Sequence, residues 1–307
     1  MRKEHVNMDQ LMIAISSDSG ADVLLDCLNF SFQNNNSALH MELIRSYRDH
    51  IVLRISDNDH HNNNKVTWTR DVSEIIAMFI VDHMESLLLR RIIQKQSDSY
   101  EDHELTEIIQ YCKQLLSDNE TEAALDTEHV KQDRRLMIKE QLHKYLELNS
   151  LLDVEGFVHF RLKRYMSNLQ DIVDDALDEF LLNEQYQEFI ALLKYFVYFQ
   201  DTKIPEVHLI HQGNNKFQLL DGDLQQLDLS DAKDVIVETV DRELNYEDMV
   251  VSALISASPK QIYIHTREPE TQSIKTIQQI FEGRTWMCTC CKVCKSRLGE
   301  WKAERFT

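Results

Sequence analysis

From Gly156 to Gln200 the chain reads GFVHFRLKRYMSNLQDIVDDALDEFLLNEQYQEFIALLKYFVYFQ, with no proline and no glycine after the first residue. Apolar side chains recur at Val158, Leu162, Tyr165, Leu169, Ile172, Ala176 and Phe180. That three-to-four spacing stacks them on one helical face. A second run follows at Tyr186, Phe189, Ile190, Leu193, Phe196 and Val197. Asn183 stands between the runs with a side chain that can accept an orphan backbone N–H, so the spacing predicts two helices with Asn183 as N-cap of the second. Ile204-Pro205 ends the pattern, because proline biases its predecessor away from αR and cannot donate to the helix ladder. A chain organised around such a pair must bury its apolar stripe against other elements.

The segments on either side supply them. Residues 11–16 (LMIAIS) read as a buried strand, broken at Ser19-Gly20, and 21–32 as a helix with Val23, Leu24, Cys27, Leu28 and Phe32 inward. Cys27 reads as a core residue, since a free cysteine behaves as a small hydrophobe. Leu39–Arg45 and Ile51–Ser56 alternate like strands around a turn at Arg48-Asp49, and Val66–Thr69 reads as a fourth short strand. From Asp71 onward Val72, Ile75, Ile76, Phe79, Ile80, Val81, Met84, Leu88 and Ile92 cover more than one helical face, which predicts burial on several sides or in a subunit interface. Helices over 102–116 and 122–148 follow. The second turns Val130, Met137, Leu142 and Leu146 inward and Lys131, Arg134, Arg135, Lys139 and Glu140 outward.

Beyond the central pair the period changes. Val207–His211 and Phe217–Leu220 alternate like strands, with Gly213-Asn214-Asn215 as hairpin chemistry between them. Asn245 and Asp248 suit the start of a helix over 246–257, closed by Pro259. Strand 261–265, helix 270–282 and strand 285–288 together predict one βαβ unit. The expected fold class is α+β. It comprises a small N-terminal α/β part over residues 1–70, a helical middle over 71–203, a C-terminal α/β part over 204–294 ending in a Cys cluster, and a tail over 295–307.

The chain has 307 residues, 43% of them hydrophobic and 28% charged, enough for a proper core. Its formal net charge of −19 opposes nucleic acid and anionic membrane surfaces alike. No run of apolar residues is long enough to span a bilayer, and the first residues lack a signal-peptide pattern. These features predict a soluble, cytosolic protein without a nucleic-acid partner. The broad apolar cover of the helices at 71–93 and 156–200 predicts a protein partner or a homo-oligomer.

Three groups of residues carry chemistry by type and spacing. Asp171, Asp174, Asp175, Asp178 and Glu179 form an acidic stripe, and DDALD (174–178) matches the D-D-x-x-D pattern with which all-α prenyl-chain synthases hold magnesium. No second such motif faces it, so it reads as a solvated face, as does the basic group Arg161, Lys163 and Arg164 one or two turns earlier. The loop 57–64, rich in Asn, Asp and His, has no ligand spacing and reads as solvated too. The third group is Cys288, Cys290, Cys291 and Cys294 in the run CTCCKVC. Thiolates are soft donors that favour zinc or cuprous copper, and C-x-x-C lets two sulfurs grip one ion. The alternatives are redox chemistry and a thiol-rich tail with no ligand. His265 joins this group because the carboxyl ends of parallel strands share an edge, which brings it beside Cys288. His265, Cys288, Cys291 and Cys294 are then the candidate ligands of a tetrahedral zinc ion, with Cys290 spare. No complete catalytic constellation is present, so the reading leans away from an enzyme.

GFVHFRLKRYM (156–166), DDALDEFL (174–181), EFIALLKYFV (188–197), PKQIYIHTREPE (259–270), IFEGR (280–284) and the closing cysteines together resemble the YtxC-like family of sporulation proteins in endospore-forming bacteria. The likeness is strongest over 150–294 and rests on length and general pattern before that. The family's ending resembles C-x-G-C-x-x-C, with Cys290 here in the glycine position. The resemblance implies a role in sporulation and brings no activity, cofactor or catalytic residue with it.

Overall fold

The computed structural model describes residues 10–34, 39–47, 50–57, 65–97, 99–118, 127–213, 216–227, 246–288 and 291–298. The chain divides into two compact units, Met1–Leu182 and Asn183–Thr307. Both mix helix and sheet, and the α+β class is confirmed.

In the first unit, β1 (Gln10–Ser16) alternates as its sequence demands, with Leu11, Ile13 and Ile15 buried. A single 3₁₀ turn over Ser17–Ser19 follows and ends at Gly20, whose φ of 86° is open to glycine without strain. Helix α1 (Ala21–Asn34) buries Leu24 and Leu28. The hairpin of β2 (Leu39–Tyr47) and β3 (His50–Asp57) is antiparallel, and β3 pairs antiparallel with β1.

Val66–Thr69 is not a strand. It begins α2 (Lys65–Phe79), because Thr69, Ser73 and Ile76 continue the helical stripe backwards. The Ser73 hydroxyl fastens that turn by donating to the Thr69 carbonyl at 2.6 Å. Helix α2 passes through a π-helical turn, Ile80–Met84, into α3 (Glu85–Gln96). Val72, Ile76, Phe79, Ile80, Met84 and Leu89 are all buried there, as the all-round apolar pattern requires. Helices α4 (Asp102–Asp118) and α5 (Thr127–Leu148) complete the layer, while the stretch 122–126 read as helix lies outside the described residues.

A fourth strand of this sheet comes from far along the chain. β4 (Leu151–Asp153) pairs parallel with β1, giving the order β2-β3-β1-β4. Its last residue caps the next helix, since the Asp153 carboxylate accepts the Gly156 N–H at 2.6 Å at the head of α6 (Val154–Arg161). The Glu155 carboxylate in turn accepts the Ser16 N–H at 2.8 Å and ties that helix back to the end of β1.

Residues 156–199 are helical as expected, with one break, but from Tyr165 onward the two stripes lie on one continuous helix and Asn183 is not an N-cap. The break is at Leu162 (φ −94°, ψ 42°), and α7 runs unbroken from Lys163 to Phe199 through Asn183. An asparagine inside a helix costs well under ~1 kcal/mol relative to alanine, too little to stop one that glycine and proline do not interrupt. The first stripe is buried as read, from Val158 to Phe180. In the second, Ile190 and Val197 are buried with Tyr186 and Leu193 packed beside them, while Phe189 and Phe196 are exposed. The inward stripe is therefore narrower than the apolar composition suggested.

In the second unit β5 (Ile204–His211) and β6 (Phe217–Asp221) form the expected antiparallel hairpin, turning at Gly213 with φ 85°. Helix α8 (Tyr246–Ala257) precedes β7 (Pro259–His265), which lies parallel to β5. Helix α9 (Gln272–Ile280) then leads to β8 (Thr285–Met287), parallel to β7, in a sheet ordered β6-β5-β7-β8. The strand–helix–strand unit read from the sequence is thus present. Val207, Leu209, Ile262, Ile264, Ile274 and Ile277 form its core. Arg284 reaches across it and donates to the Val197 carbonyl at 3.0 Å, one of the orphan acceptors at the end of α7.

The role of β4 is testable by comparing neighbours. Leu152 is fully buried and Leu151 is 51% exposed. Leu152→Ala should cost about 2–4 kcal/mol in urea unfolding followed by circular dichroism. Leu151→Ala should stay within about 0.5 kcal/mol of the parent.

Candidate metal centre

The chain reaches the cysteines through the register of one strand pair. In the parallel pairing of β7 with β8, Ile262 faces Thr285 and Ile264 faces Met287. One step further, the Cys288 N–H donates to the Ile264 carbonyl at 2.8 Å, so Cys288 leaves the sheet beside His265, the last residue of β7. Two residues past His265 the chain is bent by the Thr266 hydroxyl, which accepts the Glu268 N–H at 2.9 Å. After Cys288 the chain enters α10 (Lys292–Leu298), with Cys291 just before its first residue and Cys294 in its first turn. The Cys294 N–H points at the Cys291 sulfur, 3.4 Å away, the local bond that a C-x-x-C turn favours.

These elements bring His265, Cys288, Cys291 and Cys294 together, each offering a ligand atom within 4.8 Å of the others. The Cys294 sulfur is 3.6 Å from that of Cys288 and 3.8 Å from that of Cys291. The His265 Nδ1 is 3.2 Å from the Cys294 sulfur and 3.6 Å from the Cys291 sulfur. Tetrahedral zinc, with Zn–S near ~2.3 Å and Zn–N near ~2.0–2.1 Å, sets its ligand atoms roughly 3.6–3.8 Å apart. The donor set suits that ion, with the two sulfur pairs and the His265–Cys291 pair at that spacing and the His265–Cys294 pair shorter. Cys290 lies outside the described residues.

The site is nearly closed on one side, since His265 is 2% and Cys294 3% exposed, while Cys288 and Cys291 are half-buried. Burial, aided by the neighbouring His208, lowers the His265 pKa to about 4, so the ring is neutral at physiological pH and has a lone pair to give. Burial and the adjoining Cys291 and Cys294 thiols push Cys288 up to about 12. Burial pushes the Cys291 thiol up too, but there it is outweighed by the Cys294 N–H and the neighbouring thiols, and the thiol lies below the ordinary value. Three thiolates this close would repel one another, and a divalent cation bound among them would offset that charge.

Sequence reasoning did not find His208. It sits on β5 in register with Tyr263, stacks on that ring at 5.2 Å between centroids, and brings its Nδ1 to 3.0 Å from the His265 Nε2. Its signal was the parity of β5, where Val207 and Leu209 face the core and His208 the other face. Using it requires the parallel pairing of β5 with β7, which the sequence alone does not reveal.

The remaining groups are placed as follows. The carboxylates of Asp171, Asp174, Asp175, Asp178 and Glu179 are exposed along α7, and that of Asp174 accepts the amides of Gln96 at 2.6 Å and Gln170 at 3.1 Å. Arg161, Lys163 and Arg164 are exposed. The loop 58–64 lies outside the described residues. Cys112 is buried in the first unit, its thiol pushed up to about 12 by that burial.

The outward face read for α5 needs correction. Lys131, Arg134, Arg135 and Lys139 are ion-paired to the π-helical turn and its neighbours, not free in solvent. The Asp82 carboxylate receives Lys131 at 2.8 Å and Arg135 at 2.7 Å and 3.0 Å. Glu85 is buried and accepts the Tyr165 hydroxyl at 2.7 Å, with the Arg134 Nε at 3.4 Å. A cavity of about 360 Å³ opens beside them, lined also by Ser86, Lys113 and Ser117. Helical periodicity cannot show which polar face meets another helix, so this network was invisible to it.

A helical N-terminal unit joined to a sheet that gathers three thiols and an imidazole defines the class: an α+β protein with a Cys₃His cluster at a strand edge. The sequence model of the YtxC-like family matches residues 70–285, and the chain belongs to that family. It is 24% identical over 222 residues to the Uncharacterized protein YtxC of Bacillus subtilis (strain 168), covering 71% of this chain and 76% of that protein. No solved structure matches it. The family match reaches back to residue 70, well before the segments that carried the resemblance, and stops short of the cysteines.

The charge network generates a test in pH. Burial raises the Glu85 pKa, outweighing Arg134 and the Tyr165 hydroxyl. Its contribution to stability is therefore present below the ordinary glutamate value and lost as pH rises through the raised one. At Asp82 burial is outweighed by the bonds and charges of Lys131 and Arg135, and the pKa is lowered. That contribution is present above the ordinary aspartate value and lost as pH falls through the depressed one. Melting temperatures between pH 5 and 8 should fall less in Glu85→Gln than in the parent. Asp82→Asn should cost on the order of 1–2 kcal/mol at pH 7, and the gap should close towards pH 3.

Proposed function

We propose that the second unit holds one structural zinc ion through Cys288, Cys291, Cys294 and His265, and that the protein acts through protein contacts and not as an enzyme. The observation that carries the zinc reading is the convergence of four soft or borderline ligand atoms within 4.8 Å at the edge of one sheet. Four protein ligands leave no coordination position for water or substrate, the mark of a structural site. Zinc there would hold α10 to the carboxyl ends of β7 and β8. His265, neutral by burial, would give Nδ1, and the three sulfurs would bind as thiolates.

The contact half of the proposal is supported by the outer face of α7, where Leu192, Tyr195, Phe196, Tyr198 and Phe199 are exposed around shallow cavities of about 530 and 540 Å³. Exposed apolar surface in such concentration marks interaction sites. The setting we propose is the cytosol of a sporulating cell, the sporulation role being what the family resemblance implies. No described helix is long and apolar enough to cross a membrane. The formal charge of −19 disfavours nucleic acid as the partner.

A second reading is thiol redox chemistry, favoured by the 3.6 Å and 3.8 Å sulfur separations around Cys294. A disulfide needs about 2.05 Å between sulfurs, so either pair would have to close before it could form one. Metal analysis separates the two. Protein purified anaerobically without an affinity tag should carry about one zinc per chain, and Cys291→Ser and His265→Ala should each lower its retention against a chelator by 10-fold or more, roughly the scale of a lost ligand or its support. Cys290→Ser should leave it intact. Metal-free protein whose tail thiols titrate freely contradicts the zinc reading, and one that isolates with two thiols reversibly oxidised supports the redox one.

For the setting, deleting the gene in its sporulating host should lower the yield of heat-resistant spores, and the wild-type copy should restore it. An unchanged spore yield contradicts the sporulation role.

A further inference from the structure

A histidine that binds a metal through one ring nitrogen keeps its proton on the other, and the partner of that N–H decides which nitrogen faces the ion. His265 has both sides defined. Its Nδ1 faces the sulfurs of Cys294 and Cys291 at 3.2 Å and 3.6 Å, and its Nε2 lies 3.0 Å from the Nδ1 of His208. We infer that His208 is the positioning residue that commits His265 to binding through Nδ1, and that filling the site reverses the hydrogen bond between the two imidazoles. The inference rests on the zinc reading above.

Two neutral imidazoles facing each other nitrogen to nitrogen hold one proton on the line between them. When a cation takes the Nδ1 lone pair of His265, the ring's proton sits on Nε2 and is donated to His208. His208 then accepts with a bare Nδ1 and carries its own proton on Nε2. Without the cation the favoured arrangement is the opposite. An Nδ1–H on His265 would donate to the Cys294 sulfur, 3.2 Å away, and leave Nε2 bare to accept an Nδ1–H from His208, 3.0 Å away. The His265 Nδ1 proton leaves as the cation arrives, the His208 Nδ1 proton passes along the hydrogen bond to the His265 Nε2, and half-buried His208 takes a proton from solvent on its Nε2. The exchange leaves the number of ring protons unchanged, so the net protons released on binding are those of the thiols.

His208 is itself held for this task. Its ring lies on that of Tyr263 with 22° between the planes, and the Tyr263 hydroxyl donates to the Gln261 side chain at 2.9 Å. Strand pairing fixes the rest, since His208 and Tyr263 are register partners and His265 follows Tyr263 on the same face by the two-residue repeat of a strand. The low pKa of His265, set by burial and by His208, agrees with a ring that is neutral before any cation binds.

The full chain and zinc alone suffice for the test. In long-range nitrogen–proton correlation spectra, His208 should pass from the Nδ1–H form in metal-free protein to the Nε2–H form with one equivalent of zinc, while His265 becomes Nε2–H. In chelator competition His208→Phe should weaken zinc binding by about 10–100-fold. His208→Asn, whose side-chain oxygen stands where Nδ1 stood, should recover most of that loss. A His208 tautomer that does not change with zinc, or a His208→Phe variant that binds as tightly as the parent, overturns the role of His208 and leaves the zinc site standing. A parent protein that takes up no zinc overturns the zinc reading itself.

Discussion

Parallel strands point their carboxyl ends the same way, and in the second unit that rule places every residue of chemical interest. The pairing of β7 with β8 sets Ile264 opposite Met287, so His265 and Cys288 leave the sheet at one edge. The pairing of β5 with β7 sets His208 beside Tyr263 and within reach of His265. Because side chains alternate along a strand, a register slip of one residue would turn His265 to the opposite face of the sheet. The register is held by the buried apolar residues of the same strands, Val207, Leu209, Ile262 and Ile264. Hydrophobic packing on one face thus determines the polar arrangement on the other, as open sheets with parallel strands do at their ligand-bearing edges.

The two units meet the cost of burying ionisable groups in different ways. In the first, Asp82 keeps its charge because Lys131 and Arg135 are brought to it from α5, and Glu85 is eased by the Tyr165 hydroxyl and Arg134. The carboxylates and their counter-charges are all supplied by the chain. In the second, three sulfurs and an imidazole converge; burial and the neighbouring thiols push Cys288 up to about 12, while the Cys294 N–H and those thiols outweigh burial and lower Cys291. Donors without positive charge among them, spaced for a tetrahedral ion, are the physical basis of the zinc proposal. The closed four-ligand sphere is also why that proposal points to architecture and not to catalysis.

Much of the fold was legible because burial imposes a period. The stripe from Val158 to Phe180, the alternation of β1 and the strand–helix–strand run from Pro259 to Met287 each follow one-sided packing. What was not legible depends on partners remote in sequence. β4 is three residues long, too short for any period, and exists because β1 offers it an edge. Val66–Thr69 looked like a strand by its β-branched residues, yet the stripe through Thr69, Ser73 and Ile76 made it helix. The cationic face of α5 reads as solvated until Asp82, Glu85 and Glu74 are seen opposite it. For the site, the cysteines and His265 could be grouped by topology alone, whereas His208 required a strand pairing that no local pattern encodes.

The most direct measurement is X-ray absorption at the zinc edge of protein isolated with its native metal. A Cys₃His sphere gives three sulfur neighbours near ~2.3 Å and one nitrogen near ~2.0–2.1 Å, with the outer-shell scattering of a single imidazole. A first shell of oxygen and nitrogen alone, or protein that isolates without zinc, would contradict it.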